Sequence, residues 1–143
     1  MKKTKLWSIF LVWVTAFSFF SCEINDPDGL WDPIKMDKKT VLINDKGGQD
    51  TIRLKNYSLW WLSDVNVRVN DTTVYRYPEY INDDSVFYTM NGDWYSILIP
   101  QDNKQLLVVK CNENINHDYR ELIIGVTVGD AFNSIRVVQS DTN

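Results

Sequence analysis

The chain has 143 residues, of which 44% are hydrophobic and 13% aromatic, and its formal net charge is −4. This length provides one domain with its own core, and the high share of hydrophobic residues excludes an intrinsically disordered chain. Because 15 Lys and Arg stand against 19 Asp and Glu, we expect no nucleic-acid partner, since phosphate binding needs clustered cations.

The N-terminus has the features of a secretory signal. Lys2, Lys3 and Lys5 form a basic segment, and a largely apolar run over residues 6–20 follows it. That run is too short to span a membrane, which takes about 20 helical residues. The pattern therefore predicts that residues 1–21 are a signal peptide.

A serine followed by Cys22 ends the run and resembles the lipobox of bacterial lipoprotein signals. The resemblance implies that Cys22 carries acyl chains and anchors the protein at the cell outer membrane, periplasmic or surface-exposed. Phe19 stands where the lipobox has an aliphatic residue, so cleavage by the ordinary signal peptidase is one alternative. A disulfide from Cys22 to Cys111 is another. Cys111 shares a strand face with Val109, however, which predicts an inert thiol in the core.

Residues 22–39 contain two Asp-Pro pairs and no sustained hydrophobic period, which predicts an acidic, flexible tether. Trp31 is unusual in such a segment. Two interpretations are open for it: docking on the domain, or contact with the membrane interface.

From Thr40 onward the apolar residues repeat every second position, and glycine, asparagine and aspartate interrupt them. The pattern predicts strands over residues 41–44, 51–56, 65–69, 73–77, 94–99, 106–111, 122–128 and 134–139. About seven or eight short strands with no helix predict an all-β antiparallel sandwich or barrel over residues 40–143.

The order of several residues along these strands resembles the BACON domain (Bacteroidetes-associated, carbohydrate-binding, often N-terminal). The matching residues are Gly47, Gly48, Asn56, Trp60 or Trp61, Trp94, Leu107, Val109, Cys111, Asn114, Arg120, Leu122, Ile124, Ile135, Val137 and Gln139. The resemblance implies an immunoglobulin-like β-sandwich in the envelope of carbohydrate-using bacteria, with glycan binding. For Asn114, Arg120 and Gln139 we favour hydrogen bonding across turns and strand ends over ligand contact.

Between Trp61 and Trp94 the chain is longer than the short link of that family, which predicts an insert over about residues 62–93 with a hairpin. Its tyrosines alternate with acids and amides, and glycan binding needs aromatic faces beside such polar groups. The ligand-binding candidates are Tyr75, Tyr77, Tyr80, Tyr88, Trp61 and Asp83. The alternative is that the tyrosines form an added layer of core. Of Trp60 and Trp61, neighbours in a strand, one should be buried and the other exposed or covered.

The residues for catalysis are scarce. His117 is the only histidine and lies in a predicted turn, and Asp83 and Asp84 fit a polar loop better than a carboxylate pair. We therefore expect no enzyme activity, catalytic residue, metal or cofactor. The sequence favours a lipid-anchored, non-catalytic envelope module that binds a polysaccharide, a glycoprotein glycan or a glycan-handling envelope protein. The alternative is a structural spacer or assembly subunit with no ligand of its own.

Overall fold

Nine strands form two sheets that pack face to face. The computed structural model describes residues 31–78 and 87–140. The strands are β1 (Thr40–Ile43), β2 (Gly48–Arg53), β3 (Trp61–Val69), β4 (Thr72–Arg76), β5 (Thr89–Asn91), β6 (Tyr95–Leu98), β7 (Leu106–Cys111), β8 (Arg120–Val128) and β9 (Ala131–Gln139). One sheet has the order β1-β9-β8-β3-β4, and the other has the order β2-β7-β6-β5. This arrangement confirms the predicted all-β sandwich.

The core lies between the two sheets and follows the predicted alternation. In β7, Leu107, Val109 and Cys111 are buried, and in β8 so are Leu122 and Ile124. Successive strand residues point to opposite faces, so one residue in two meets the other sheet. The remaining residues of the five-stranded sheet project from its other side, which we call the outer face.

Two features of the strands differ from the prediction. All neighbouring strands are antiparallel except β1 and β9, which pair in parallel with Val41 opposite Val137. A ninth strand, β5, was missed because its three residues, Thr-Met-Asn, are too few to show an alternating pattern. It is held by pairing with β6, which a single segment of sequence does not reveal.

The domain begins at Trp31 rather than at Thr40, so the tether predicted over residues 22–39 is wrong for residues 31–39. Ile34 is buried in the core, and Met36 forms a bridge with Leu54 beside β2. The Trp31 ring lies over Gly129 in the β8–β9 turn, where a Cβ would collide with it. Trp31 therefore docks on the domain. The remainder of the predicted tether lies outside the described residues.

The predicted insert over residues 62–93 is also wrong for its first part. β3 pairs with β8 from Trp61 to Val69, and its Val65 and Val67 are buried. β3 is therefore an integral strand of the sandwich. Of the other strands in the predicted insert, β4 lies at the edge of the same sheet and β5 at the edge of the second sheet. The error arose because the Val-x-Val-x-Val pattern shows that a strand exists but not which strands flank it.

The predicted signal peptide and Cys22 lie outside the described residues. Across residues 31–78 and 87–140 the structure contains no helix with the length and apolarity needed to cross a membrane.

Cys111 occupies the inner face of β7, between Gly48 of β2 and Tyr95 of β6. Its thiol is free, and the residue is 1% exposed. Burial raises the pKa of this thiol from 9.0 to about 11, because the core destabilises the thiolate, and the positive charge of Arg120 opposes the shift only partly. The predicted place of Cys111 in the core is confirmed, and its low reactivity stays a prediction.

We expect Cys111 in the full chain carrying Cys22→Ala to resist maleimide at pH 8 and to react at once after unfolding. With a native pKa of about 11, roughly one thiol in a thousand is ionised at pH 8. Above pH 9 the Cys111 thiol ionises in the unfolded chain before it ionises in the folded chain. The contribution of the neutral thiol to the free energy of unfolding therefore falls as the pH rises from about 9 to 11. Mass spectrometry of the native and unfolded protein measures the labelling, and equal rates in the two states would contradict the burial.

Candidate functional site

A cavity of about 400 Å³ opens at one end of the outer face of the five-stranded sheet. It is lined by Trp61, Leu62, Ser63, Tyr77, Pro78, Phe87 and Thr127. Three of these side chains are aromatic and none is charged. These residues therefore combine flat apolar walls with three hydroxyl groups, those of Ser63, Thr127 and Tyr77.

Strand alternation explains why these side chains meet there. Leu62 is buried, so its neighbour Trp61 points to the outer face. Trp61 pairs with Thr127, and Thr127 pairs with Phe132 on the next strand. These three residues form one row across the outer face. Trp60 is fully buried, which confirms that the two neighbouring tryptophans separate into one core residue and one partly covered residue.

A β-bulge shapes the polar side of the cavity. The register between β3 and β8 shifts between Leu62 and Asp64, so Ser63 has no partner in the β3–β8 pairing. The bulge lies over Gly125, where a Cβ would collide with the side chains of Ser63 and Asp64. The Ser63 hydroxyl donates to the Asp64 carboxylate at 2.7 Å.

The Thr127 hydroxyl also uses its proton within the protein. It lies 2.9 Å from the carbonyl oxygen of Gly129 and 3.1 Å from that of Ala131, in the β8–β9 turn. A hydroxyl that has donated its proton retains lone pairs that accept hydrogen bonds. Thr127 and Ser63 therefore offer acceptors to a molecule in the cavity.

Farther along the outer face, an ion cluster covers the sheet. The Arg136 Nε donates to the Glu121 carboxylate, and Arg68 lies 3.8 Å from its other oxygen. Arg136 also donates to the Tyr119 hydroxyl at 3.2 Å, and the Arg68 guanidinium lies over the Tyr119 ring. The hydrogen bond to Glu121 raises the pKa of Arg136. Both arginines are thus engaged by the protein itself.

The structure brings together two of the predicted ligand-binding residues and separates others. Trp61 and Tyr77 line the same cavity, and Tyr77 is 69% exposed. Tyr75 is 63% exposed on the outer face opposite Asn66, but it does not line the cavity. Tyr80 and Asp83 lie outside the described residues.

Tyr88 was predicted as a ligand-binding residue, and this is wrong because its side chain belongs to the core. It is 7% exposed, and its carbonyl accepts from the Ile99 amide at 2.6 Å. The Lys104 ammonium lies 4.6 Å from the ring centre and 3.3 Å from the hydroxyl. A ligand at the surface has no access to this ring.

The predicted ligand-binding residues did not include the other five described residues of the cavity: Leu62, Ser63, Pro78, Phe87 and Thr127. Thr127 carries a weak signal, since it is a polar residue within the apolar run of β8. Nothing local pairs it with Trp61, because that pairing joins segments far apart in the chain.

Asn114, Arg120 and Gln139 act as the hydrogen-bonding residues that we expected. The Asn114 amide donates to the Asp118 carbonyl at 2.7 Å. The Gln139 amide donates to the carbonyls of Asn112 and Asn44, and its oxygen accepts from Arg120 at 3.2 Å. These contacts tie the turn between β7 and β8 to the end of β9.

Within the described parts of the chain, no three His, Cys, Asp or Glu side chains lie close enough together to hold a metal ion. His117 is exposed in the turn before β8 with a φ of 54°, and its Nδ1 lies 3.7 Å from the Asp45 carboxylate. This placement agrees with the predicted turn histidine.

Comparison with family models and with curated proteins finds no match. Among solved structures, the chain is similar to a protein from Bacteroides thetaiotaomicron determined by NMR, with 26% sequence identity and a TM-score of 0.58. The match covers 85% of this chain and 98% of that one. It supports the all-β fold of two sheets. The resemblance to the BACON domain stays a prediction.

Exposure separates the tyrosines into two groups with different expected effects on stability. We expect Tyr88→Ala to lower the free energy of unfolding by about 3–5 kcal/mol, because it empties a buried aromatic site. Tyr75→Ala and Tyr77→Ala should change it by no more than about 0.5 kcal/mol, as is usual at exposed positions. Denaturant midpoints measure all three. A strong loss for Tyr77→Ala would show that its ring is packed rather than exposed.

Proposed function

We propose that the protein is a lipid-anchored, non-catalytic module of the cell envelope that binds glycan in the cavity at the end of the outer face. The observation that carries the proposal is the meeting of Trp61 and Tyr77, two of the predicted ligand-binding residues, in one cavity. Its volume of about 400 Å³ falls within the usual range for small-ligand sites, about 300–1,000 Å³.

The chemistry of the lining supports a sugar as the ligand. Aromatic faces pack against the C–H surface of a pyranose ring, and Trp61, Tyr77 and Phe87 supply them. The hydroxyls of Ser63 and Thr127 have donated their protons, so they accept hydrogen bonds from sugar hydroxyls.

The charge pattern favours a neutral glycan over an acidic one. Among the described lining residues none is cationic, and the nearby Arg68 and Arg136 are engaged by Glu121. The chain also has an acidic net charge, which repels uronic and sialic acids.

Trp61→Ala and Tyr77→Ala should each weaken binding of a neutral polysaccharide by about fivefold, since stacking on one ring is worth on the order of 1 kcal/mol. The assay uses the unit Trp31–Asn143, because a fragment starting at Lys39 would lack the buried Ile34. A glycan array of neutral and acidic saccharides identifies the ligand, and calorimetry measures the affinities.

Phe132→Ala is the matched control, because Phe132 is an exposed aromatic of the same face outside the cavity. Equal losses for Phe132→Ala and Trp61→Ala would place binding elsewhere on the face. No saccharide binding by the unchanged protein would contradict the proposal and favour a spacer without a ligand.

The burial of Cys111 supports acylation of Cys22 over a disulfide, because a bond between them would require Cys22 to enter the core. The similarity to a Bacteroides protein agrees with a bacterial source, in which lipobox signals occur. Whole cells fed labelled palmitate should label the unchanged chain, and Cys22→Ala should lose both the label and membrane association while the domain stays folded. Retained label in Cys22→Ala would contradict the lipid anchor.

A further inference from the structure

We propose that two copies of this chain associate by antiparallel pairing of their β4 strands, which joins the two five-stranded sheets into one. The proposal concerns the edge of the sheet rather than the glycan cavity, and it does not depend on the proposed function.

β4 is the most open of the nine described strands. It pairs with β3 only, and it is the one strand among them in which every residue is exposed. Its outward N–H and C=O groups therefore have no partner strand within residues 31–78 and 87–140. Such edges are templates for pairing with another strand.

The other edges are covered or shorter. The β2 edge is covered by the segment before β1: the amide of Asp37 donates to the Arg53 carbonyl at 3.0 Å, and the Arg53 amide donates back to the Asp37 carboxylate at 2.9 Å. β5 has three residues and β1 has four. β4 has no lysine, no proline and no bulge, which are devices that protect edges in other proteins. It does have one charge on the inner side of the sheet, Arg76 opposite the buried Val65.

The residues of β4 are complementary to themselves in one register. In an antiparallel pair centred on Val74, Val74 meets Val74 of the second copy, and Tyr75 meets Thr73 of the second copy. Arg76, the only charged residue of the strand, then lies opposite Thr72 of the second copy. A parallel, in-register pair would place the two arginines side by side, and like charges directly opposite each other are destabilising.

A groove beneath β4 favours the same partner. Val74 is 43% exposed, and with Val67 and Tyr95 it lines a groove of about 150 Å³ that also contains Arg76 and Asp93. The Tyr95 hydroxyl is buried there and has no hydrogen-bond partner among the described residues. A second β4 would cover the apolar part of this groove with its Val74.

Disulfide trapping tests the pairing in the full chain, in membranes of cells that express it. Directly opposed residues of an antiparallel pair have Cα atoms about 4.5–5.5 Å apart, within the range that a disulfide spans. Val74→Cys should therefore yield a covalent dimer of twice the chain mass on mild oxidation. Thr72→Cys and Phe132→Cys, both exposed, should stay at the level of the unchanged chain, because neither meets its own counterpart.

Val74→Lys provides a second measurement, since it places two ammonium groups opposite each other while the half-exposed position tolerates the long side chain. The detergent-extracted protein should change from two chains per particle to one in sedimentation. The proposal is overturned if Val74→Cys gives no more dimer than Phe132→Cys, if it cross-links to a different protein, or if the unchanged chain sediments as one copy. Trp61→Ala should leave the dimer intact, which separates this test from that of glycan binding.

Discussion

The pairing of β3 with β8 determines which side chains of this protein reach solvent. It runs from Trp61 to Val69 along the centre of the five-stranded sheet, and the bulge at Ser63 is its only irregularity. Because alternation has a period of two, a shift by one residue would exchange Trp61 with Leu62 and Val65 with Asn66. The burial of Leu62 and Val65 against the second sheet therefore fixes the outward position of Trp61. The cavity is a consequence of core packing several residues away.

The sequence predicts the existence of strands well and their neighbours poorly. Residues such as Val109 and Cys111 show their burial through alternation alone, so the sandwich and the buried thiol were both predictable. The place of β3 between β8 and β4 depends on pairing with a strand more than fifty residues later, and no local pattern encodes that distance. Similarly, Ile34 and Met36 lie among acidic residues and prolines, and this local sequence does not indicate that their segment covers the edge of β2.

The same limit explains the mixed result for the candidate site. Trp61, Tyr77 and Tyr88 have the same sequence signal, an aromatic residue near polar groups. Tyr88 directly precedes β5 and turns into the core, whereas Tyr77 directly follows β4 and stays outside. Their different roles arise from which sheet each neighbouring strand joins. Tertiary contacts determine which sheet a strand joins, and one of them is the hydrogen bond from the Ile99 amide to the Tyr88 carbonyl.

β4 links the two proposals through the geometry of one strand. The chain leaves its C-terminal end at Tyr77, which lines the cavity, while its free edge faces away from β3. Pairing of two copies at that edge would put both cavities on one continuous outer face. Two sites held on a rigid sheet bind a repeating polymer with a higher effective concentration than one site alone, even when each ring contributes only about 1 kcal/mol. A small cavity with a few uncharged contacts is weak by itself, and association at β4 would be one physical means of strengthening it on a polysaccharide.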